Sequence, residues 1–395
     1  MSTPIRSVAF LMPYHVSESG GGAEVQASLL ARELARRGVA TSYVCHSRTG
    51  RTGQNTIDGV HVRWIPAPGR FAWRSGRDYA AALDSIRPDA VFVRTTSHLV
   101  GVAGSYAART GAAFAWVCTD NWCADRWRLV RRLSSQQDGR GGGLGRRGLA
   151  WLNAFMRDVM RHRGMRRVTL AFTQSDQQAH GVAHNFGLES RRLPTGHDSP
   201  AVVVPGAGFD RRRVLWAGHL GRNKRPELFI DLALRLADTK LRFVMLGSRA
   251  GASSYVDELF RAAPDNLEWL GQVPFDESLA WFDRATLLVN TSREEGFPNT
   301  FIQSWLRGVP TLSLGVDPDG IVSRAETGFV AQDVPALARR IRELLSDRER
   351  YSAYSERALA YATRHHTVDR MTEAVLAAFG ESSGRTFAVS APVAP

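Results

Sequence analysis

SVAFLMPYHVSESGGGAEVQASLLARELARRG, residues 7–38, is the stretch that sets the architecture. It opens on a short apolar run, Val8–Met12, and passes through a turn bearing Gly20, Gly21 and Gly22. It ends in a helical repeat that places Leu29, Leu30 and Leu34 on one face, and Gly38 is a helix stop. A buried strand, a glycine turn and a helix, in that order, begin an α/β sheet. Downstream of this unit, strands are predicted at Thr41–Cys45, Val60–Ile65, Ala90–Val93, Phe114–Cys118 and Val168–Thr173. Helices fall between them, as at Leu99–Arg109, and one runs on to Asn185. Such alternation predicts a parallel sheet with right-handed crossovers.

The second half repeats the pattern. A strand at Val214–Ala217 leads into GHLGRNKRPELFIDLALRLA, residues 218–237, where Pro226 suits a first helical turn. Further strands are predicted at Phe243–Leu246, Leu287–Asn290 and Thr311–Leu314, and the chain reads as helical from Asp333 to about Phe379. A length of 395 residues with 44% hydrophobic content suits two α/β domains. The predicted division is 1–198 for the first domain, 199–212 for a linker, 213–360 for the second domain and 380–395 for a disordered tail.

Composition excludes several classes. Three cysteines, Cys45, Cys118 and Cys123, make no disulfide framework and lack metal-ligand spacing, so reduced thiols are expected. No segment approaches the roughly 20 apolar residues of a membrane span, and Val8–Met12 is too short for a secretory core. A cytoplasmic protein is expected. The net charge of +13 is concentrated between Trp122 and Arg167, where twelve arginines face Asp125, Asp138 and Asp158. No nucleic-acid module accompanies this stretch, so nucleic acid is not an expected partner. Two readings remain, a solvated basic face or contact with an anionic membrane surface. Within it, DGRGGGLGRRG at 138–148 reads as a loop. Leu149–Arg161 reads as an amphipathic helix striped by Leu149, Leu152, Phe155, Met156 and Val159.

The chemistry concentrates in TSREEGFPNTFIQSWLRGVPTLSLGVDPDG, residues 291–320, which begins where the strand Leu287–Asn290 ends. Ligands of open α/β sheets bind outside the carboxyl ends of the strands. Gly296 allows close backbone approach, and Pro298 can start a helix over Asn299–Leu306 whose free amides suit an anion. Glu295 precedes that helix and Gln303 lies eight positions later on it. The segment closely resembles the donor signature of retaining glycosyltransferases of family 4, a glutamate followed after seven residues by a second, set in an EGFPN-like context. Glu295, Gly296, Phe297, Pro298 and Asn299 match it, and Gln303 stands where the second glutamate is usual. Val316–Gly320, VDPDG, also fits.

Gly218–Lys224, GHLGRNK, is similar to the family's Gly-Arg-Leu motif followed, after three intervening residues, by a lysine. Lys224 matches, and His219 replaces the arginine, with Arg222 or Arg225 as possible substitutes. Gly20–Glu24 is similar to the family's GGAE turn, and TDNWC at 119–123 to its SD-x-DC pattern. The resemblance implies a GT-B fold, two Rossmann-like domains facing a central cleft, with Tyr361–Phe379 crossing back to the first. It implies a retaining, hexosyl-type transferase that needs no cofactor or metal. The substrates would be a nucleoside-diphosphate sugar and a glycan or lipid-linked acceptor. Glu295, Lys224 and Asp120 are the implied catalytic residues, and a structural cap is the competing reading of Asp120. Donor binding is implied for Gly21, Gly22, Gly218, His219, Arg222, Lys224, Glu295, Gly296, Phe297, Pro298, Asn299, Thr300 and Gln303. His15 and His98 are weaker candidates, whereas His180, His184, His365 and His366 read as helix-surface residues. The departures at Gln303 and His219 motivate an alternative, a catalytically weakened scaffold subunit of a glycan assembly complex.

Overall fold

A computed structural model of the chain describes residues 4–68, 71–135, 144–248, 254–261, 263–383 and 387. It divides into two compact units, Met1–Pro194 with Val368–Pro395, and Thr195–Thr367. The first runs β1 (Ser7–Tyr14), α1 (Gly22–Arg36), β2 (Ala40–His46), β3 (Gly53–Ile57), β4 (Val60–Ile65), α2 (Gly76–Ile86), β5 (Ala90–Val93), α3 (Leu99–Thr110), β6 (Ala113–Val117), α4 (Arg128–Ser135), α5 (Leu144–Met165), β7 (Leu170–Thr173), α6 (Asp176–Phe186) and β8 (Ser190–Arg192). The second runs β9 (Arg213–Ala217), α7 (Pro226–Arg235), β10 (Arg242–Leu246), α8 (Ser254–Arg261), β11 (Leu267–Trp269), α9 (Phe275–Asp283), β12 (Leu287–Asn290), α10 (Asn299–Trp305), β13 (Thr311–Leu314), α11 (Ile321–Arg324), β14 (Gly328–Ala331), α12 (Val334–Ser346) and α13 (Arg348–His365). The chain then returns to the first unit as α14 (Val368–Ser383).

In the first unit eight strands lie in the order β3-β4-β2-β1-β5-β6-β7-β8. All pairs are parallel except β3 with β4. The hairpin strand β3 has no counterpart among the predicted strands, because GQNTI is polar and almost wholly exposed. The second sheet is entirely parallel, in the order β11-β10-β9-β12-β13-β14. Its strands are covered on both faces, as parallel strands must be. Val214, Trp216, Phe243, Met245, Leu287 and Val289 pack into one core, and the alternating Leu215, Val244, Leu246 and Leu288 into another.

Each sheet has one place where the strand order reverses. In the first it lies between β1 and β5, in the second between β9 and β12. The carboxyl ends flanking such a point leave a crevice, the usual ligand position of open α/β sheets.

Four boundaries differ from the sequence-based expectation. The first unit ends at Pro194 rather than 198, and 199–212 is no free linker, because Phe209 is buried in the second core. The crossing helix is not 361–379. α13 carries 361–365 within the second unit, and α14 begins at Val368. α14 buries Met371, Val375, Ala378 and Phe379, a helical stripe, and Asp369 accepts a bond from Arg37, the residue after α1, at 2.7 Å. The tail 380–395 is partly ordered, since α14 reaches Ser383 and buried Phe387 bridges Ile5. Its other residues lie outside the described ones.

The fourth difference is α5. It starts at Leu144 rather than 149 and reaches Met165, so 144–148 is helical, while 136–143 lie outside the described residues. α5 crosses α3 at backbone contact. A Cβ on Gly164 would lie 2.0 Å from the Val100 carbonyl oxygen, and one on Gly104 would lie 2.6 Å from the Gly164 Cα. Asp158 and Arg161, both wholly buried, grip the preceding segment. Asp158 accepts from the Leu129 and Val130 amides at 3.0 and 3.2 Å, and Arg161 donates to the carbonyls of Cys123, Asp125 and Arg126. One side of this basic helix is therefore core.

Candidate functional site

The switch point of the second sheet gathers the two motifs that sequence placed 71 residues apart. The turn after β9 carries Gly218–Lys224, and the loop after β12 carries Thr291–Glu295. Lys224 Nζ donates directly to Glu295 Oε1, with the two side chains 28% and 16% exposed. A partly buried pair of this kind is held more firmly than a surface pair, yet its remaining exposure lets a ligand reach it.

The surrounding bonds explain why the pair forms. The Ser292 hydroxyl donates to the same Glu295 oxygen at 2.6 Å. The Ser292 amide donates to Asn290 Oδ1 at 3.1 Å. Trp216 Nε1 on β9 donates to Thr291 Oγ1 at 2.9 Å, and the Thr291 hydroxyl donates to the Lys224 carbonyl at 2.6 Å. Asn223 closes the other side, accepting from the Arg293 amide at 2.8 Å and donating to the Glu294 carbonyl at 3.0 Å. Arg225 sits in the left-handed region at φ 47° and donates to the carbonyls of Thr291, Ser292 and Leu314. It is therefore a strut between loops, which removes it as a stand-in for a phosphate-binding arginine.

Gly218 and Gly247 meet back to back. Gly247 has φ 150°, and a Cβ on it would fall 1.7 Å from the Gly218 carbonyl oxygen. His219 is exposed, with Nδ1 2.9 Å from Ser248 Oγ, and Arg222 is exposed beside it. Across the site, Pro298 caps α10 with no side-chain bond to the first-turn amides, and Asn299 and Thr300 are half-buried. Gly296, Phe297 and Gln303 are buried, Gln303 at 6% exposure. The Gln303 side chain makes no hydrogen bond to another described residue. Asp317 is occupied as a cap, accepting from the Val322 amide and the Ser323 hydroxyl, each at 2.7 Å.

The first unit's switch point holds His15 and the glycine turn after β1, and His98 after β5. Gly21 is the residue before α1, and a Cβ there would lie 2.3 Å from Glu24 Oε2. Glu24 folds back over the turn, and burial pushes its carboxyl above the usual range. Burial lowers His15, whose Nδ1 is 2.9 Å from Ser17 Oγ. Burial, with Arg157 and His46 nearby, takes His98 down to about 3.

Asp120 has both carboxylate oxygens engaged. One accepts from the Cys123 amide at 2.9 Å and caps a short 3-10 turn, and the other accepts from Arg128 at 2.7 Å. Burial and the Cys123 sulfur push it up to about 7 against the pull of Arg128. Burial alone would raise Cys123, but bonds from Cys118, Arg128 and Thr119 hold it well below the usual thiol range. All three cysteines are free and buried.

Sequence reasoning missed Ser292, Thr291, Asn223, Asn290 and the structural use of Arg225. The available signal was the polar run Asn290-Thr291-Ser292 directly after an apolar strand. It also misplaced His366, which is 5% exposed rather than on a helix surface, while His180, His184 and His365 are exposed as expected.

Two family matches cover the two halves. Residues 21–196 match the glycosyl transferase 4-like domain, and 211–347 match glycosyl transferases group 1. A curated relative, the lipopolysaccharide core biosynthesis mannosyltransferase LpcC of Rhizobium leguminosarum bv. viciae, is 26% identical over 196 residues. That match covers 47% of this chain and 54% of the relative, so it spans about half the length of each. Among solved structures, Anabaena HepE in complex with UDP-glucose superposes with a TM-score of 0.73 at 13% identity, over 95% of this chain and 99% of that one. WaaG, a glycosyltransferase involved in lipopolysaccharide biosynthesis, gives 0.67 at 15% identity, over 95% and 100%. Sucrose-phosphate synthase from Thermosynechococcus elongatus gives 0.70 at 13%, over 96% and 99%. The fold is of the GT-B class.

Proposed function

With a glycosyl transferase 4-like domain and a glycosyl transferases group 1 domain in one chain, we propose that this protein moves a hexosyl group from a nucleoside-diphosphate sugar to a glycan or lipid-linked acceptor, with retention, in cell-surface polysaccharide or glycoconjugate synthesis. The observation that carries the reading is the Lys224–Glu295 pair at the switch point of the second sheet.

The bond from the anomeric carbon to the diphosphate breaks, and negative charge gathers on the leaving phosphate. A fixed ammonium there stabilises the transition state more than the ground state. Lys224 has that role, with His219 and Arg222 beside it. Glu295, freed from Lys224 by the donor, accepts bonds from sugar hydroxyls. Gln303 offers an uncharged partner to the ribose. The acceptor oxygen bonds to the anomeric carbon from the leaving-group side, and its proton passes to a departing phosphate oxygen. No metal is part of the proposal, because Lys224 supplies the positive charge. Asp120, already engaged by Arg128 and the Cys123 amide, shapes the acceptor side as a cap.

The test is glycosyl transfer from a panel of UDP-, GDP- and ADP-sugars by the wild type and by Glu295→Gln. The expected result is turnover with one donor and a loss of about 100-fold or more in kcat in the variant. Undiminished turnover in the variant overturns the site, and nucleotide binding without turnover on any acceptor favours the scaffold alternative.

A second part of the proposal concerns the basic helix α5. Among the described residues seven large apolar side chains are exposed, and three of them, Trp122, Trp151 and Leu152, lie in the arginine-rich stretch. Trp151 extends a stack through Phe155 to Trp127, with centroids 5.1 and 5.7 Å apart. Aromatic side chains among arginines suit an anionic bilayer surface, which fits a lipid-linked acceptor at the inner face of the membrane. Among the described residues no helix is long and apolar enough to cross a membrane. Flotation with liposomes should require anionic lipid, and binding that ignores lipid charge removes this part.

A further inference from the structure

The donor motif is braced from beneath by a residue outside it. Phe297, two positions after Glu295, is 8% exposed and packs against the His366 ring at a centroid distance of 4.9 Å. His366 follows α13 and is itself held from three directions. Its amide donates to the Ala362 carbonyl at 2.7 Å, its carbonyl accepts from the His197 amide at 2.9 Å, and its Nδ1 lies 2.9 Å from the Thr195 carbonyl. The last contact fixes the tautomer, because a carbonyl only accepts, so Nδ1 carries the hydrogen. Burial keeps the ring neutral, at about 4. Trp305 of α10 and Tyr361 of α13 complete the nest, with centroids 6.5 and 5.5 Å from the imidazole.

Thr195 opens the second unit and Thr367 ends it, and a β-bridge joins His197 to Thr367. His366 thus locks the two ends of the unit to the loop that carries Glu295. We propose that His366 is a positioning residue for the donor site, its ring fixing Phe297 and thereby the 295–299 backbone. This rests on the donor-site reading above and adds a residue that no motif contains. The reason for a histidine is geometric. A ring is needed on the Phe297 side and a donor on the Thr195 side, and neither phenylalanine nor asparagine supplies both.

Two variants separate the halves of the residue. His366→Asn keeps a donor near the Thr195 carbonyl and removes the ring, whereas His366→Phe keeps the ring and removes the donor. Binding of UDP, GDP and ADP is measured by calorimetry, with donor KM and kcat measured separately and the melting temperature as a folding control. The expected result is a rise of about tenfold in nucleotide Kd and donor KM for His366→Asn, with kcat less affected. His366→Phe restores binding to within about threefold of wild type. Phe297→Ala combined with His366→Asn should bind no worse than Phe297→Ala alone, since the two share one contact. Unchanged affinity in His366→Asn, equal loss in both variants, or additive losses in the double variant overturn the inference while leaving the donor site intact. A wild-type protein that binds none of the three nucleotides removes the donor site and this inference together.

Discussion

Glu295 and Lys224 are bonded to each other, so each side chain is held in place at the site. That arrangement predicts unequal costs for removing neighbours. Lys224→Ala should lower kcat by about 100- to 1,000-fold, because it deletes the charge facing the leaving diphosphate. Lys224→Arg should not rescue it, since a planar guanidinium does not reproduce a compact ammonium bonded to one oxygen. Ser292→Ala removes one hydrogen bond to a carboxylate and should cost about tenfold in kcat/KM, corresponding to ~1.4 kcal/mol. Steady-state kinetics on the three variants check the order. A Ser292→Ala loss as large as that of Lys224→Ala would show that the serine contacts substrate rather than orienting Glu295.

The crossing of α3 and α5 ties a basic helix to a buried core through three glycines, Gly101, Gly104 and Gly164. Gly164→Ala drives a Cβ into the Val100 carbonyl and should destabilise the first unit by about 1–3 kcal/mol. Gly148, in the same helix, has open space where a Cβ would lie, with nothing within 4 Å, so Gly148→Ala should be neutral or stabilising by up to about 1 kcal/mol. Denaturant midpoints of the two variants test the contrast. Equal midpoints would show that the helices do not cross at these glycines. The same packing separates the two sides of α5. Asp158 and Arg161 face the core, and Trp151 and Leu152 face outward, so a Trp151→Ala, Leu152→Ala variant should lose liposome binding without losing stability.

Both units bury histidines, and this sets a dependence on pH for the whole molecule. His98 is lowered to about 3 and His366 to about 4, and His15 and His46 are lowered by burial as well. In the unfolded chain each binds a proton near the ordinary histidine value, so below about 6.5 the unfolded state holds more protons than the folded one. The stabilisation is therefore fully present above about pH 6.5 and is lost as pH falls toward 4 and 3. Denaturant midpoints should drop steadily from pH 7 to pH 5, with a shallower slope in His98→Gln. Asp120, raised to about 7, contributes with the reverse sign, so the deciding reading is the difference between wild type and His98→Gln, and equal slopes in the two contradict a buried neutral His98. A bound donor nucleotide should stabilise the folded protein by mass action, by about 2.7 kcal/mol at a hundredfold excess over Kd, and raise the melting temperature with it. Lys224→Ala should reduce that shift.

Apolar runs of four to six residues marked the central strands, because a parallel strand covered on both faces has little choice of residue type. The glycine turns, Pro226 and Pro298 marked the loops at strand ends for similarly local reasons. Local pattern also fixed the motif carrying Glu295 and the one carrying Lys224. Tertiary structure alone decided that these motifs meet, since the reversal of strand order between β9 and β12 is a pairing choice between distant segments. It likewise turned Arg225 into a strut, engaged Asp120 through Arg128, and hid His366 beneath Phe297. A side chain's neighbours across a fold leave no periodic trace in the chain itself. Residue spacing therefore determined which groups were available for chemistry, and long-range packing decided which of them face one another.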